Sequence, residues 1–142
     1  MKIAIGCDHG AFEYKERLVL DLKGHGYEVN DFGTFSKESV DYPVFAKKTA
    51  EFVANNKNSL GIVLCTSGEG VCIAANKVKG VRCGLGYNEQ VAALMRLHNN
   101  ANMIAFGARF ASYDDVYKRT MIFINTPFEG GRHKRRVEQI EK

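Results

Sequence analysis

The chain has 142 residues, of which 45% are hydrophobic and 25% are charged. This length fits one domain with an ordinary core, and the composition excludes bulk disorder. Much of the formal net charge of +4 comes from RHKRR at 132–136, so the nearly balanced remainder argues against a general nucleic-acid-binding surface. No export signal opens the chain and no apolar run reaches membrane-spanning length, so we expect a cytoplasmic protein without a membrane partner.

Short apolar runs alternate with amphipathic segments from one end of the chain to the other. In chain order, the patterns predict a strand at 2–7, a helix at 12–22, a strand at 27–33, a helix at 43–55, a strand at 60–66, a helix at 70–78, a strand at 81–87, a helix at 88–99, a strand at 102–108, a helix at 112–125 and a basic helical tail at about 129–142. Apolar strands separated by helices indicate a parallel sheet covered on both faces. The sequence therefore predicts one doubly wound α/β domain, residues 1–142, with five strands.

Polar or reactive groups follow four of the predicted strands. They are Cys7-Asp8-His9, Cys65-Thr66-Ser67, Tyr87-Asn88 and Gly107-Ala108-Arg109. In doubly wound sheets, ligands bind beyond the carboxyl ends of the strands. These four ends therefore outline a candidate pocket.

The glycine-containing loop CTSGEG, residues 65–70, does not fit the common nucleotide-binding patterns. The dinucleotide fingerprint G-x-G-x-x-G needs a third glycine where the chain has Ile73, and no Gly-Lys pair followed by Ser or Thr exists in the chain. A phosphatase-like C-x5-R pattern would need arginine where the chain has Val71. Backbone N–H groups at the start of the following helix can still hold an anion.

The same loop offers a seat for a reactive thiol. Cys65 ends a strand beside the loop amides and a helix N-terminus, which together stabilise a thiolate. Position alone leaves two interpretations open, a reactive thiolate and an inert buried thiol. Glu69 is either a solvated carboxylate or an acid–base group. The other cysteines are interpreted as packing residues, and the absence of C-x-x-C gives a zinc site no starting point.

Two histidines and three arginines complete the candidates. His9 follows Asp8 at the first strand end, and we expect His98, at the end of the helix 88–99, to share the sheet edge of the candidate thiol. Arg132 and Arg136 lie four residues apart on one helical face, which allows them to bind one phosphate or to remain solvated. Arg109 lies directly at a strand end.

Six motifs in register across the whole chain resemble one known family. They are GCDHG, DFGT, DYP, IAANK, HNNAN and GGRHKRRV. They resemble ribose-5-phosphate isomerase type B, within a wider family that also acts on galactose 6-phosphate and allose 6-phosphate. The resemblance implies a Rossmann-like α/β/α sandwich and a homodimer or dimer of dimers with the site at the dimer interface. It also implies metal-independent, cofactor-free interconversion of D-ribose 5-phosphate and D-ribulose 5-phosphate in the pentose phosphate pathway.

The resemblance also implies roles for individual residues. Cys65 is the base that moves a proton between C1 and C2 through an enediolate, and His98 opens the furanose ring. Loop amides hold the oxyanion, and arginines bind the substrate and its phosphate. The implied substrate-binding residues are Asp8, His9, Tyr42, Thr66, Ser67, Gly68, Glu69, Gly70, Asn99, Arg109, Arg132 and Arg136.

The loop departs from the usual family pattern C-G-T-G-x-G, because Thr66 and Ser67 replace glycine and threonine. Some relatives use a glutamate just after the second loop glycine, where this chain has Val71. We therefore keep Cys65 as the predicted base and Glu69 as its rival. Two other functions stay open at this point: an isomerase of a six-carbon sugar phosphate, and a non-catalytic sugar-phosphate sensor.

Overall fold

Five apolar segments form one sheet in the computed structural model, which describes residues 1–142. The strands are β1 (Lys2–Cys7), β2 (Glu28–Asp31), β3 (Ser59–Cys65), β4 (Cys83–Leu85) and β5 (Met103–Gly107). They lie in the order β2-β1-β3-β5-β4, and every neighbouring pair is parallel. The predicted five-stranded parallel sheet is confirmed.

Six helices connect and cover these strands. They are α1 (Phe12–Gly24), α2 (Tyr42–Asn55), α3 (Glu69–Asn76), α4 (Glu89–Leu97), α5 (Tyr113–Asn125) and α6 (Arg132–Ile140). The side chains of Asn88 and Ser112 cap α4 and α5, and Pro43 lies in the first turn of α2. None of the helices combines the length and the apolar character needed to cross a bilayer.

Side chains alternate along the strands, so the sheet carries an apolar layer on each face. In β3, Ile62 and Leu64 pack in the layer that contains α1, α4 and α5. Val63 and Cys65 point the other way and pack in the layer that contains α2 and α3. The molecule is therefore a Rossmann-like α/β/α sandwich, as predicted.

The second strand is shorter than the predicted 27–33 because the backbone leaves the extended conformation at Gly33, where φ is +92°. Hydrogen bonding to β1 nevertheless continues, since the Thr34 N–H donates to the Cys7 carbonyl at 2.8 Å. The segment after β2 thus stays beside β1. It then leads to α2 and the sheet edge.

A buried lysine, which the sequence patterns do not reveal, holds the end of β2 and the segment after it in place. Lys15 in α1 has no exposed surface, and its Nζ lies 2.8 Å from Asp31 Oδ2 and 2.7 Å from Glu16 Oε2. Because a charged group is rarely buried without a partner, the pair with Asp31 fixes the end of β2 against α1. The loop that follows is held near the first strand end.

Candidate active site

The central strands β1 and β3 create a crevice at the carboxyl edge of the sheet. The chain leaves β1 toward β2 on one side, and it leaves β3 toward β4 on the other. Such a reversal of strand order is where ligands bind in open α/β sheets. Gly10 allows the two strand ends to approach closely, because a Cβ there would lie 2.3 Å from Thr66 Oγ1.

Cys65 is the last residue of β3 and lies under the following loop, with only 5% of its surface exposed. The Gly68 N–H donates to its Sγ at 3.2 Å, so the sulfur is held directly beneath the loop. Gly68 has φ +81°, and a Cβ there would lie 2.8 Å from the Phe106 carbonyl carbon. Only glycine therefore lets the loop fold down over the thiol.

The loop also presents backbone donors. The Glu69 N–H donates to Ser67 Oγ at 3.2 Å. The amides of Ser67 and Gly70, by contrast, donate to no acceptor in the chain. They lie at the N-terminal end of α3, where the helix dipole favours negative charge. Tyr42, the first residue of α2, covers this end, since a Cβ on Gly70 would lie 2.6 Å from its ring.

Asp8 and His9 form the opposite wall of the crevice. Asp8 Oδ1 accepts the Gly10 N–H at 2.9 Å and caps a 3₁₀ turn, His9–Ala11. The Val40 N–H donates to His9 Nδ1 at 3.2 Å. Because Nδ1 acts as an acceptor, a neutral His9 carries its proton on Nε2 and offers a hydrogen-bond donor to a ligand.

Two cavities open at this edge. One of about 490 Å³ is lined by His9, Thr66 and Arg109, and the Arg109 N–H donates to the Thr66 carbonyl at 3.1 Å. The other, of about 420 Å³, is lined by Ser67 and Glu69 among others. We call the group at this edge the carboxyl-edge half-site; it consists of Asp8, His9, Tyr42, Cys65, Thr66, Ser67, Gly68, Glu69, Gly70 and Arg109.

His98 lies at the opposite edge, so the prediction that it shares the edge of Cys65 is wrong for a single chain. A helix that follows a parallel strand runs back along the sheet, and His98 is the residue after α4. The chain then enters the amino end of the sheet, where the Gly61 N–H donates to the Asn102 carbonyl at 2.9 Å. The five residues of β5 separate the two edges, a span of about 15 Å.

Helix α6 packs beside His98 at this amino edge. The Glu129 N–H donates to the Leu97 carbonyl at 3.1 Å, and the Arg82 guanidinium pairs with Glu141 at 2.7 Å. Both contacts bring the exposed Arg132 and Arg136 of α6 to this edge. We call this second group the amino-edge half-site; it consists of His98, Asn99, Arg132 and Arg136.

Two further residues belong to this region although sequence reasoning did not select them. The ring of His133, 6% exposed, stacks on His98 with centroids 4.2 Å apart and planes at 13°. Glu129 lies between them, 4.0 Å from His98 Nε2 and 3.9 Å from His133 Nε2. Burial and the neighbouring charges of His98 and Arg132 lower the pKa of His133. The signal was available, since His133 and Val137 are spaced for a buried helical face.

His98, Glu129 and His133 bring three possible metal-ligand atoms within 4.8 Å of one another. Two imidazoles share an ion only when it lies in both ring planes, along the nitrogen lone pairs. The near-parallel stacked rings do not meet that condition. Arg132 and Arg136 add positive charge nearby, so the cluster suits an acid–base pair beside an anion better than a cation.

The chain matches known proteins over nearly its whole length. Residues 3–140 match the family described as Ribose/Galactose Isomerase. Ribose-5-phosphate isomerase B of Escherichia coli K12 is 41% identical over 139 residues, with 98% of this chain and 93% of the relative covered. The enzyme of the same name from Mycobacterium tuberculosis H37Rv is 40% identical over 140 residues, with 97% and 86% covered.

Solved structures agree with the sequence comparison. The structure of Clostridium thermocellum ribose-5-phosphate isomerase B has a TM-score of 0.97 and 45% identity, with 99% of this chain and 95% of that chain covered. Ribose-5-phosphate isomerase B from Mycoplasma genitalium with bound ribulose-5-phosphate has a TM-score of 0.96 and 40% identity, with 99% and 93% covered. The chain therefore belongs to the Ribose/Galactose Isomerase family.

Proposed function

We propose that this protein is a ribose-5-phosphate isomerase that interconverts D-ribose 5-phosphate and D-ribulose 5-phosphate. The observation that carries the proposal is the 41% identity to the Escherichia coli enzyme across 98% of the chain. The ribulose-5-phosphate bound by the Mycoplasma genitalium relative supports the same substrate. We further infer a cytoplasmic enzyme that acts as one domain, residues 1–142, with the basic tail at about 129–142 as its phosphate-binding part.

Cys65 is the proposed base. Its thiolate removes the proton from C2 of open-chain ribose 5-phosphate, and the electron pair moves through the C1 carbonyl to give an enediolate. Cys65 then returns the proton to C1 while the C2 hydroxyl becomes the ketone, and the proton of that hydroxyl passes to the C1 oxygen, which becomes a hydroxyl. The free amides of Ser67 and Gly70 are suited to hold the oxyanion, because preorganised donors are most effective where charge develops.

His98 is the proposed group that opens the furanose ring, and Arg132 and Arg136 the groups that bind the phosphate. In one chain these residues lie at the opposite edge of the sheet from Cys65, and the length of β5 separates the two edges by about 15 Å. A second copy related by a two-fold axis can bring its amino-edge half-site to the first copy's carboxyl-edge half-site, and the reverse. Exposed Tyr87 and Phe110 beside the loop cavity support such an interface. We therefore infer a homodimer, alone or within a dimer of dimers, that shares its sites.

Comparing kcat/KM for ribose 5-phosphate, allose 6-phosphate and galactose 6-phosphate tests the proposal. We expect ribose 5-phosphate to be preferred, and we expect turnover to survive exhaustive chelation because the proposed steps use no metal. A preferred hexose phosphate would reassign the substrate, and failure to turn over any of the three would favour a sensor. Loss of activity on chelation, restored by a divalent metal, would contradict the metal-free mechanism.

A further inference from the structure

Two half-buried cysteines meet at the outer edge of the sheet, apart from the proposed catalytic thiol. Cys72 lies in α3, and Cys83 begins the edge strand β4. Cys72 Sγ lies 3.5 Å from the Cys83 carbonyl oxygen, and both side chains pack against the same buried layer, on the face of the sheet that carries α2 and α3. We propose that Cys72 and Cys83 form a reversible disulfide site that is oxidised by small organic disulfides such as oxidised glutathione.

Asn76 holds the two cysteines in register. It lies one helical turn after Cys72, and its Oδ1 accepts the Cys83 N–H at 2.8 Å while its Nδ2 donates to the Cys83 carbonyl at 2.9 Å. The same Nδ2 lies 3.7 Å from Cys72 Sγ. A disulfide forms without backbone movement only where the two Cβ atoms already face each other at about 4 Å. By binding the backbone of Cys83 and contacting Cys72 Sγ, Asn76 keeps the two cysteines side by side.

The two thiols differ in a way that orders the reaction. The hydrogen bond with Cys83 lowers the pKa of Cys72, whereas the hydrogen bond with Cys72 and burial raise the pKa of Cys83. Cys72 is therefore the attacking thiolate, and Cys83 is the resolving thiol. This division of roles is typical of dithiols that exchange with external disulfides.

The exchange balances in two steps. The Cys72 thiolate attacks one sulfur of oxidised glutathione, the glutathione S–S bond breaks, and one glutathione thiolate leaves. That thiolate takes the proton of Cys83, whose sulfur then attacks Cys72 and releases the second glutathione thiolate. Two cysteine thiols are oxidised to one disulfide, and one glutathione disulfide is reduced to two glutathione molecules.

Cys72 is partly exposed at the surface of α3. Cys83 and Asn76 line a cavity of about 430 Å³ between α3, β4 and the end of α4. Cys7 offers the contrast, because it has no exposed surface and its burial raises its pKa to about 12. We therefore expect oxidation at the Cys72–Cys83 pair to leave Cys7 reduced.

The test is to incubate the wild-type protein with excess oxidised glutathione and then block the free thiols. We expect the treated protein to carry two fewer blocking groups than reduced protein denatured and blocked in the same way, with a Cys72–Cys83 linkage in peptides cut at Glu69 as well as at lysine and arginine. Closing a loop of about a dozen residues should raise Tm on the order of 5 °C, and dithiothreitol should reverse it. A protein that keeps both thiols free, or a disulfide that joins either one to Cys65, would overturn the proposal.

Two variants separate the steps of the exchange. In Cys83→Ser we expect the reaction to stop with one glutathione attached to Cys72, because the resolving thiol is missing. In Cys72→Ser we expect neither cross-link nor glutathione at Cys83. Glutathione on Cys83 in that variant would contradict the assigned order. The mapping in the wild-type protein stands even if a variant folds poorly.

Discussion

The two half-sites differ in the secondary-structure elements that hold their residues. At the carboxyl edge, Cys65 ends a central strand and the loop amides belong to the turn that follows it, with Gly68 packed closely against β5. At the amino edge, His98 follows the end of a helix and is held by stacking on the side chain of His133. The proposed proton-transfer groups thus lie on the sheet, whereas the proposed ring-opening and phosphate groups lie at helix ends, which the proposed dimer would bring to the sheet of the other copy.

The largest expected effect on activity separates two thiols at the ends of neighbouring strands, Cys65 of β3 and Cys7 of β1. We expect Cys65→Ala to lower kcat about 10³-fold or more while substrate still binds, because a general base is lost. Cys7→Ala should keep kcat, since Cys7 is fully buried on the other face of the sheet. Steady-state kinetics and substrate titration measure both effects. Equal loss in Glu69→Gln would instead identify Glu69 as the base.

The split between the half-sites predicts complementation. Cys65→Ala and His98→Ala should each be nearly inactive, but mixed and re-equilibrated subunits should recover about a quarter of wild-type activity. Half of the random dimers are then mixed, and each of these has one intact site of two. The recovery is measured after co-refolding and compared with each variant refolded alone. A mixture no more active than its parts would show that both residues serve the same site from one chain.

The rigidity of the loop can be tested with a matched pair of glycines. Gly68 and Gly130 both have positive φ, +81° and +74°, but only Gly68 has backbone atoms within 3 Å of an added Cβ. We expect Gly68→Ala to lower the free energy of unfolding by about 3 kcal/mol, and Gly130→Ala by about 1 kcal/mol. Urea denaturation of both variants gives the difference. Equal losses would show that the loop tolerates a side chain.

The amino-edge half-site should respond to mild acid through His133. Its pKa is lowered from the ordinary 6.5 in the folded protein, so the unfolded chain binds the proton first as the pH falls through that value. Stability should therefore decrease as the pH falls through 6.5 and below, and His133→Asn should reduce this dependence. Denaturation measured across this pH range shows the change. The same slope in both proteins would remove His133 as the cause.

Much of the fold follows from the sequence because strand and helix periodicities report directly which faces are buried. Strand ends that carry Asp8, Cys65 and Arg109 could be assigned to one edge for the same reason. The motif around His98 does not report its position, but the predicted helix 88–99 does, because a helix that follows a parallel strand runs back and ends at the amino edge. Lys15 was missed because its burial requires a partner, Asp31, from another element. The assigned roles of the site residues stay predictions.

The separation of the two half-sites has a consequence for the enzyme in dilute solution. If each catalytic centre needs two copies, an isolated chain holds only fragments of two centres. Below the dissociation constant of the dimer, the initial rate should then grow with the square of the protein concentration rather than in proportion to it. Subunit affinity would thereby set a threshold abundance below which the cell gains little turnover from additional chains.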